Sequence, residues 1–240
     1  MTRPRHIGTT GVVFDLDGTL LDTMVIVPTV YADTIRALGG PDVPPATVVA
    51  AWHIGATPVV LAHFLGRPAS AQDIECFYRH FESAVREVRP FPGVLELADD
   101  LSRAGYRLGI FTAATRRATT FMLASTRLDR LFPIVICGDE VSEPKPAPHG
   151  LWLACQHLGI DVAKTAYVGD AEVDLKCADA AGAMAIHARW GTTTSAPAGS
   201  PLVAHRPGDV LELLLRVGTE GDRHTQARQQ SQPHACELVP

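Results

Sequence analysis

The sequence predicts an α/β protein, in which a parallel β-sheet is covered by helices on both faces and an all-helical segment is inserted after the first strand. Three observations predict it. From about residue 107 onward, short apolar runs rich in β-branched residues alternate with stretches of helical period, the pattern of a parallel sheet with crossover helices. The first apolar run, "GVVFDL", stands apart from the rest and ends in two acids one residue apart, Asp15 and Asp17. Between that run and residue 90 the apolar spacing is helical throughout, with no strand.

Taken in order, residues 11–16 form a short, buried strand closed by a turn. "TVYADTIRALGG" is a helix that stops at a glycine pair. "PATVVAAW" is a second helix, broken near "HIGATP" and resumed as "VVLAHFLG". "SAQDIECFYRHFESAVREV" is the next, with Ser70 as its cap. "FPGVLELADDLSRAGY" is a helix with Pro92 near its start and Gly105 just past its end. Strand and helix then alternate: "RLGIFT" and "RRATTFMLAST", "PIVIC" and "APHGLWLACQHLG", "TAYVG" and "VDLKCADAAG". "AMAIHA" is a further strand, "PLVAH" a short one, and "GDVLELLLRVG" a last helix. From residue 219 the chain is polar and without period, so a disordered tail is expected there.

Composition narrows the function classes. The chain has 240 residues and is 46% hydrophobic, enough to bury a substantial core in one large domain or in a domain with a smaller companion. Its formal net charge of -5 has the wrong sign for a nucleic acid or an anionic membrane surface. No apolar run approaches the roughly 18 residues of a spanning helix. The first residues carry Arg3 and Arg5 but no apolar stretch, so no secretory signal is expected. The five cysteines follow no pairing pattern, which reads as reduced thiols in a cytoplasmic protein. Monomer and homodimer are equally compatible with the sequence.

The chemistry gathers at strand ends. Asp15 and Asp17 follow the first strand, Thr112 ends "RLGIFT", Lys145 lies in "EPKPAP" after "PIVIC", and Asp170 and Asp174 lie in "VGDAEVD" after "TAYV". In an open parallel sheet the carboxyl ends of the strands share one edge, where ligands bind. Two acids so close together raise each other's cost of ionisation and need a compensating charge. A hard divalent cation held through oxygen supplies one, and Mg²⁺ commonly combines one or two carboxylates with waters and a substrate phosphate. Lys145, one of only three lysines, supplies another. The D-x-[DN]-x-[DN]-G spacing of a calcium loop is not met. Cys76 and His80 are too few for a zinc site and belong to a helix.

"DLDGT", a threonine ending an apolar strand, "KPAP" and "GDAEVD", in this order, resemble the four motifs of the haloacid dehalogenase superfamily of phosphohydrolases. The likeness covers roughly residues 11–191 and is nearest to the phosphoglycolate phosphatase-like branch with a helical cap. It implies a Rossmann-like, three-layer core over residues 1–21 and 90–218, a cap over residues 22–89, and a tail over residues 219–240. It also implies an enzyme that hydrolyses a phosphomonoester of a small metabolite through an aspartyl-phosphate, with Mg²⁺ as cofactor. Asp15 would be the nucleophile. Asp17 would be general acid and then base, with its carbonyl on the metal. Thr112 would bind the phosphoryl group, with Gly18, Thr19 and Ala113 beside it. Lys145 would neutralise Asp15 and the phosphate. Asp170 would complete the metal site, with Asp174 close behind it. Many relatives carry Asn where this chain has Ala113, which removes one polar contact to the phosphate.

Asp17 is the acid that dehalogenase members lack, and residues 22–89 hold no lysine for the Schiff base of phosphonate-cleaving members. Two alternatives remain. One is a phosphosugar mutase, for which Arg36, Arg67, Arg79, Arg86 and Arg89 are available. The other is a non-catalytic binding protein on the same fold. The break "AWHIGATP" is where a cap loop reaches over the metal in relatives, so Trp52, His53 and Gly55 are expected to touch the leaving group. A packing role for Trp52 and His53 is the competing expectation.

Overall fold

A computed structural model describes residues 8–191 and 202–217, with the His53 side chain outside the description. The tail expected from residue 219 lies outside the described residues.

Among the described residues, six strands form one parallel sheet: β1 (Gly11–Phe14), β2 (Arg107–Phe111), β3 (Ile134–Ile136), β4 (Thr165–Gly169), β5 (Met184–Ala188) and β6 (Val203–Ala204). Their spatial order is β3-β2-β1-β4-β5-β6. The chain therefore builds outward from β1 to β3 on one side, then returns to the other side of β1 to lay down β4. That reversal leaves a crevice at the carboxyl ends of β1 and β4. Phe14 is level with Ile110 and with Val168, so the residues just past these strands share one edge.

The sheet is buried on both faces because its strands are apolar on both. Val12, Phe14, Ile110 and Val168 pack into one cluster with Leu97 and Leu101 of α5 (Val94–Arg103) and Met122 of α6 (Arg116–Thr126). A last helical segment, 209–217, adds Val210 and Leu214 to that cluster. Val13, Phe111 and Tyr167 face the other way, against Leu151 and Cys155 of α7 (His149–Leu158) and Cys177 of α8 (Glu172–Ala181). Each fully buried Phe, Leu or Val contributes about 1.5–3 kcal/mol, so both helical layers are held mainly by this contact.

Between β1 and α5 the chain is helical, as expected: α1 (Val27–Ala37), α2 (Pro45–Ala51), a 3-10 turn at Trp52–Ile54, α3 (Thr57–Leu65) and α4 (Ala71–Ala84). Ser70 caps α4 in a reciprocal box with Asp73, and Arg67 pairs with the same carboxylate at 2.5 Å. Tyr31, Phe77 and Phe81 supply the aromatic centre of this block. The chain enters and leaves it side by side, with the Asp22 N–H donating to Arg89 O and the Phe91 N–H to Leu20 O, at 3.0 and 3.1 Å. Cys76 and His80 both lie on α4, and the His80 ring meets the Thr34 hydroxyl at 3.0 Å. No helix among the described residues is long and apolar enough to cross a membrane.

Candidate active site

Asp15 is the first residue past β1, and its N–H continues the sheet by donating to Val168 O at 2.9 Å. The chain then turns back: the Leu20 and Leu21 N–H groups both donate to Leu16 O, and the Gly18 N–H donates to Leu21 O. Trp190 ties down the outside of this loop, its indole N–H donating to Thr19 O at 2.8 Å. Gly18 sits at φ +81°, and a Cβ there would stand 2.6 Å from Asp170 Oδ2. Only glycine permits both that backbone and that approach. Gly169 serves the same end from β4, since a Cβ there would stand 2.4 Å from the Asp174 Cβ.

Lys145 is the hub of the cluster. Its side chain is 5% exposed and its ammonium donates to Asp15 Oδ1 at 2.5 Å and Asp174 Oδ1 at 2.7 Å. Its flanks are aromatic, with the Phe111 and Tyr167 ring centres 5.2 and 5.6 Å from the nitrogen. The Lys145–Pro146 peptide is cis. Asp174 is fully engaged: Oδ2 accepts the Ala171 N–H at 3.1 Å and Oδ1 also takes the Tyr167 hydroxyl at 3.3 Å. Asp170 accepts from Thr19 Oγ1 at 3.2 Å, and its carbonyl meets Nε2 of the buried His187 at 3.1 Å. One carboxylate oxygen from each of Asp15, Asp170 and Asp174 lies within 4.8 Å of the others, and all three residues are buried. A set of hard oxygen donors with excess negative charge suits a small divalent cation.

Asp17 points another way. Its carboxylate faces Thr112, whose hydroxyl lies 3.4 Å from Oδ2, and the buried Thr23 hydroxyl. Thr112 Oγ1 also accepts the Ala114 N–H at 3.0 Å, which fixes its rotamer. Burial raises the Asp17 pKa, against the pull of the Thr23 hydroxyl, Lys145 and Thr112. Burial also pushes Asp15 well up. Lys145 pulls it down, but Asp174, Asp170 and Asp17 push with burial. A bound cation beside Asp15 would favour its ionised form. Lys145 itself is held well above its ordinary value by Asp15 and Asp174, although burial opposes this.

The fold thus brings together Asp15, Asp17, Gly18, Thr19, Thr112, Lys145, Asp170 and Asp174. Ala113 is exposed beside Thr112, its carbonyl against Gly138. Trp52 is partly buried and packs edge-on against Tyr31, ring centres 6.4 Å apart. Gly55 is exposed at the turn with φ +150°. The His53 side chain lies outside the described atoms. Three participants escape sequence reasoning: Thr23, Tyr167 and His187. The last two are polar residues inside apolar strands, and a buried hydroxyl or imidazole needs a partner. That requirement is the only signal the sequence offers for them.

A family profile described as haloacid dehalogenase-like hydrolase matches residues 12–188. The chain belongs to this family. A phosphoglycolate phosphatase of Cupriavidus necator is 32% identical to this hydrolase over 212 residues, spanning 85% of the chain and 91% of the relative. An N-acetylmuramic acid 6-phosphate phosphatase of Pseudomonas aeruginosa is 28% identical over 215 residues, spanning 86% and 95%. Among solved structures, CbbY of Rhodobacter sphaeroides in complex with phosphate superposes with a TM-score of 0.74 at 22% identity, covering 84% of this chain and 96% of that one. The superfamily, its phosphoglycolate phosphatase-like branch and the α/β fold are as the sequence led one to expect.

Proposed function

We propose that this phosphoric monoester hydrolase acts on a small phosphorylated metabolite with Mg²⁺ as cofactor and Asp15 as nucleophile. The observation that carries the reading is the Lys145 ammonium held between Asp15 and Asp174, with Asp170 in the same carboxylate cluster, at the crevice where the strand order reverses. Asp15, Asp170 and the Asp17 carbonyl would hold the cation, with Asp174 behind them. When bound, the cation neutralises charge on the phosphoryl oxygens and favours an ionised Asp15.

In this reading an Asp15 carboxylate oxygen attacks phosphorus and forms an acyl phosphate. The bond from phosphorus to the leaving oxygen breaks as Asp17 donates its proton to that oxygen. Burial favours the protonated form of Asp17 that this step needs. Asp17 then takes a proton from water, whose oxygen attacks phosphorus, releasing phosphate and restoring Asp15. Thr112 and Lys145 hold the phosphoryl group, with the Gly18 and Thr19 loop alongside. Residues 22–89 form a cap that excludes water from the first transfer and admits it for the second. The thiols of Cys76, Cys137, Cys155 and Cys177 are free, which supports a cytoplasmic setting.

The mutase alternative has less support. Of its five arginines, Arg36 pairs with Asp33 and Asp42, Arg67 pairs with Asp73 and Arg89 donates to backbone carbonyls, which leaves the exposed Arg79 and Arg86 to hold a second phosphate. An Asp15→Asn variant is expected to fold normally by circular dichroism and to lose Mg²⁺-dependent phosphate release by on the order of 10⁴-fold or more. Near-normal turnover in that variant overturns the nucleophile assignment. Isomerised substrate without released phosphate, in the unmodified enzyme, overturns the phosphatase reading in favour of a mutase.

A further inference from the structure

Asp170 is held from behind, by the segment that leaves β5. His187 is level with Gly169 in the pairing of β4 with β5, which sets it beside the first residue past β4. Nε2 of its buried ring meets the Asp170 carbonyl at 3.1 Å. A carbonyl only accepts, so Nε2 carries the proton of this hydrogen bond. Nδ1 is buried and has no hydrogen-bond partner among the described residues. A proton there would be a buried donor with nothing to receive it, so the ring is the Nε2–H tautomer, with its lone pair on Nδ1.

Three residues on, Trp190 reaches the other half of the site. Its indole N–H donates to Thr19 O at 2.8 Å, and the buried Thr19 hydroxyl donates in turn to Asp170 Oδ1 at 3.2 Å. Gly191 follows, so close that a Cβ on it would lie 2.9 Å from Gly18 O. On its far side the segment is bound to β6, the His187 and Arg189 N–H groups donating to Leu202 O and Ala204 O at 3.0 and 2.8 Å. Asp170 is therefore braced at both ends: its carbonyl by His187, and its carboxylate by Thr19, itself held by Trp190. An acid whose backbone and side chain are both fixed beforehand gives up little freedom when a cation arrives, and the groups behind a metal ligand tune affinity in this way.

We infer that His187 and Trp190 are positioning residues for the cation, holding Asp170 in the orientation that receives it before it binds. The inference rests on the Mg²⁺-dependent phosphatase reading above. Neither side chain touches substrate or cation in this account; both act through Asp170.

The test is Mg²⁺ binding to the full chain without substrate, by titration calorimetry, with folding followed by circular dichroism. His187→Leu removes the donor and keeps an apolar side chain in the core, and its Mg²⁺ dissociation constant is expected to rise about 10- to 100-fold. His187→Gln restores an amide N–H in place of Nε2–H and is expected to bring the constant back to within roughly 3-fold of the unmodified protein. Trp190→Phe acts through one further bond and is expected to raise the constant roughly 3- to 10-fold, the worth of one neutral hydrogen bond. Trp190 is partly exposed, so this variant decides the matter where His187→Leu fails to fold. In ¹⁵N spectra of the unmodified protein, His187 is expected to show the Nε2–H tautomer. Unchanged Mg²⁺ affinity in Trp190→Phe and in folded His187→Leu, equal weakening in His187→Leu and His187→Gln, or an Nδ1–H tautomer overturns the inference and leaves the phosphatase reading standing. Absence of both Mg²⁺ binding and Mg²⁺-dependent phosphate release in the unmodified protein overturns both.

Discussion

Alanine at position 18 separates backbone cost from site geometry. Gly18 has φ +81°, and a Cβ there would lie 2.6 Å from Asp170 Oδ2 and 2.9 Å from its Cγ. The left-handed backbone costs a residue with a Cβ about 1–2 kcal/mol. The contact is a second cost: to reach ordinary van der Waals distance, from 2.6 to 3.4 Å, the oxygen must retreat by 0.8 Å. It cannot swing freely, because Asp170 is buried and bonded to Thr19. Overpacking of this kind adds about 1–3 kcal/mol. Gly39 is the control, with φ +78° and no atom within 4 Å of its would-be Cβ. Gly39→Ala is expected to show the first cost alone, and Gly18→Ala the two together, roughly 2–5 kcal/mol. At about 2–4 °C per kcal/mol for a chain of this size, thermal melting followed by circular dichroism resolves the difference. The Mg²⁺ concentration giving half-maximal phosphate release should rise about 10- to 100-fold in Gly18→Ala, because Asp170 is displaced, and stay unchanged in Gly39→Ala. Equal melting temperatures and equal Mg²⁺ responses in the two variants would refute the reasoning.

Other perturbations test other parts of the structure. Because the Asp15 pKa is raised in the folded metal-free protein, stability is lost as pH rises through that folded value; the increase in Tm on adding Mg²⁺ should therefore be larger at pH 8 than at pH 5, and a pH-independent increase would contradict the charge account. Asp73 is shifted the other way, lowered by Arg67 first and then by the Ser70 N–H, so its contribution is present above the ordinary carboxylate range and lost as pH falls through the depressed folded value. Asp73→Asn should accordingly cost denaturant stability at pH 7 and progressively less in strong acid, whereas a constant difference would rule out the pairing as its source. Burial pushes the Cys137 and Cys177 thiols up to about 11 and about 12. In a Cys236→Ser background a thiol reagent at neutral pH should therefore modify the partly exposed Cys76 first, and rapid labelling of Cys177 in folded protein would show that α8 is not packed as described.

Local elements were readable because their signals are local. "RRATTFMLAST" coincides with α6 and "TAYVG" with β4, while "RLGIFT" runs one residue past β2, to Thr112. The strand order was not readable, because no residue of β1 announces that Gly11 will pair with Arg107 on one side and Thr165 on the other. The acids and Lys145 stood out because charge beside an apolar strand is conspicuous. Tyr167 did not, since a tyrosine in "TAYVG" has the apolar ring a core strand needs, and only the fold shows its hydroxyl bridging Phe111 O and Asp174. Trp52 drew attention by lying at a break between helices, where a large aromatic is as readily a packing residue.

The two acids of "DLDGT" are tolerated at a strand end because topology and charge require different things of them. Three carboxylates, those of Asp15, Asp170 and Asp174, converge on one ammonium, so when all are ionised two negative charges remain uncompensated. Burial makes that state costly, and the cluster then either takes up protons or takes up a divalent cation. Proton uptake at Asp15, whose pKa burial raises, would silence it as a nucleophile. Cation uptake leaves it ionised. Asp17, two residues on, lies across a turn where the Thr112 hydroxyl faces it, and burial raises its pKa against the pull of Thr23, Lys145 and Thr112, which favours a proton there. The turn that follows β1 sets Asp15 in the charged cluster and Asp17 against the Thr112 hydroxyl, and an acid–nucleophile pair needs its two environments to differ.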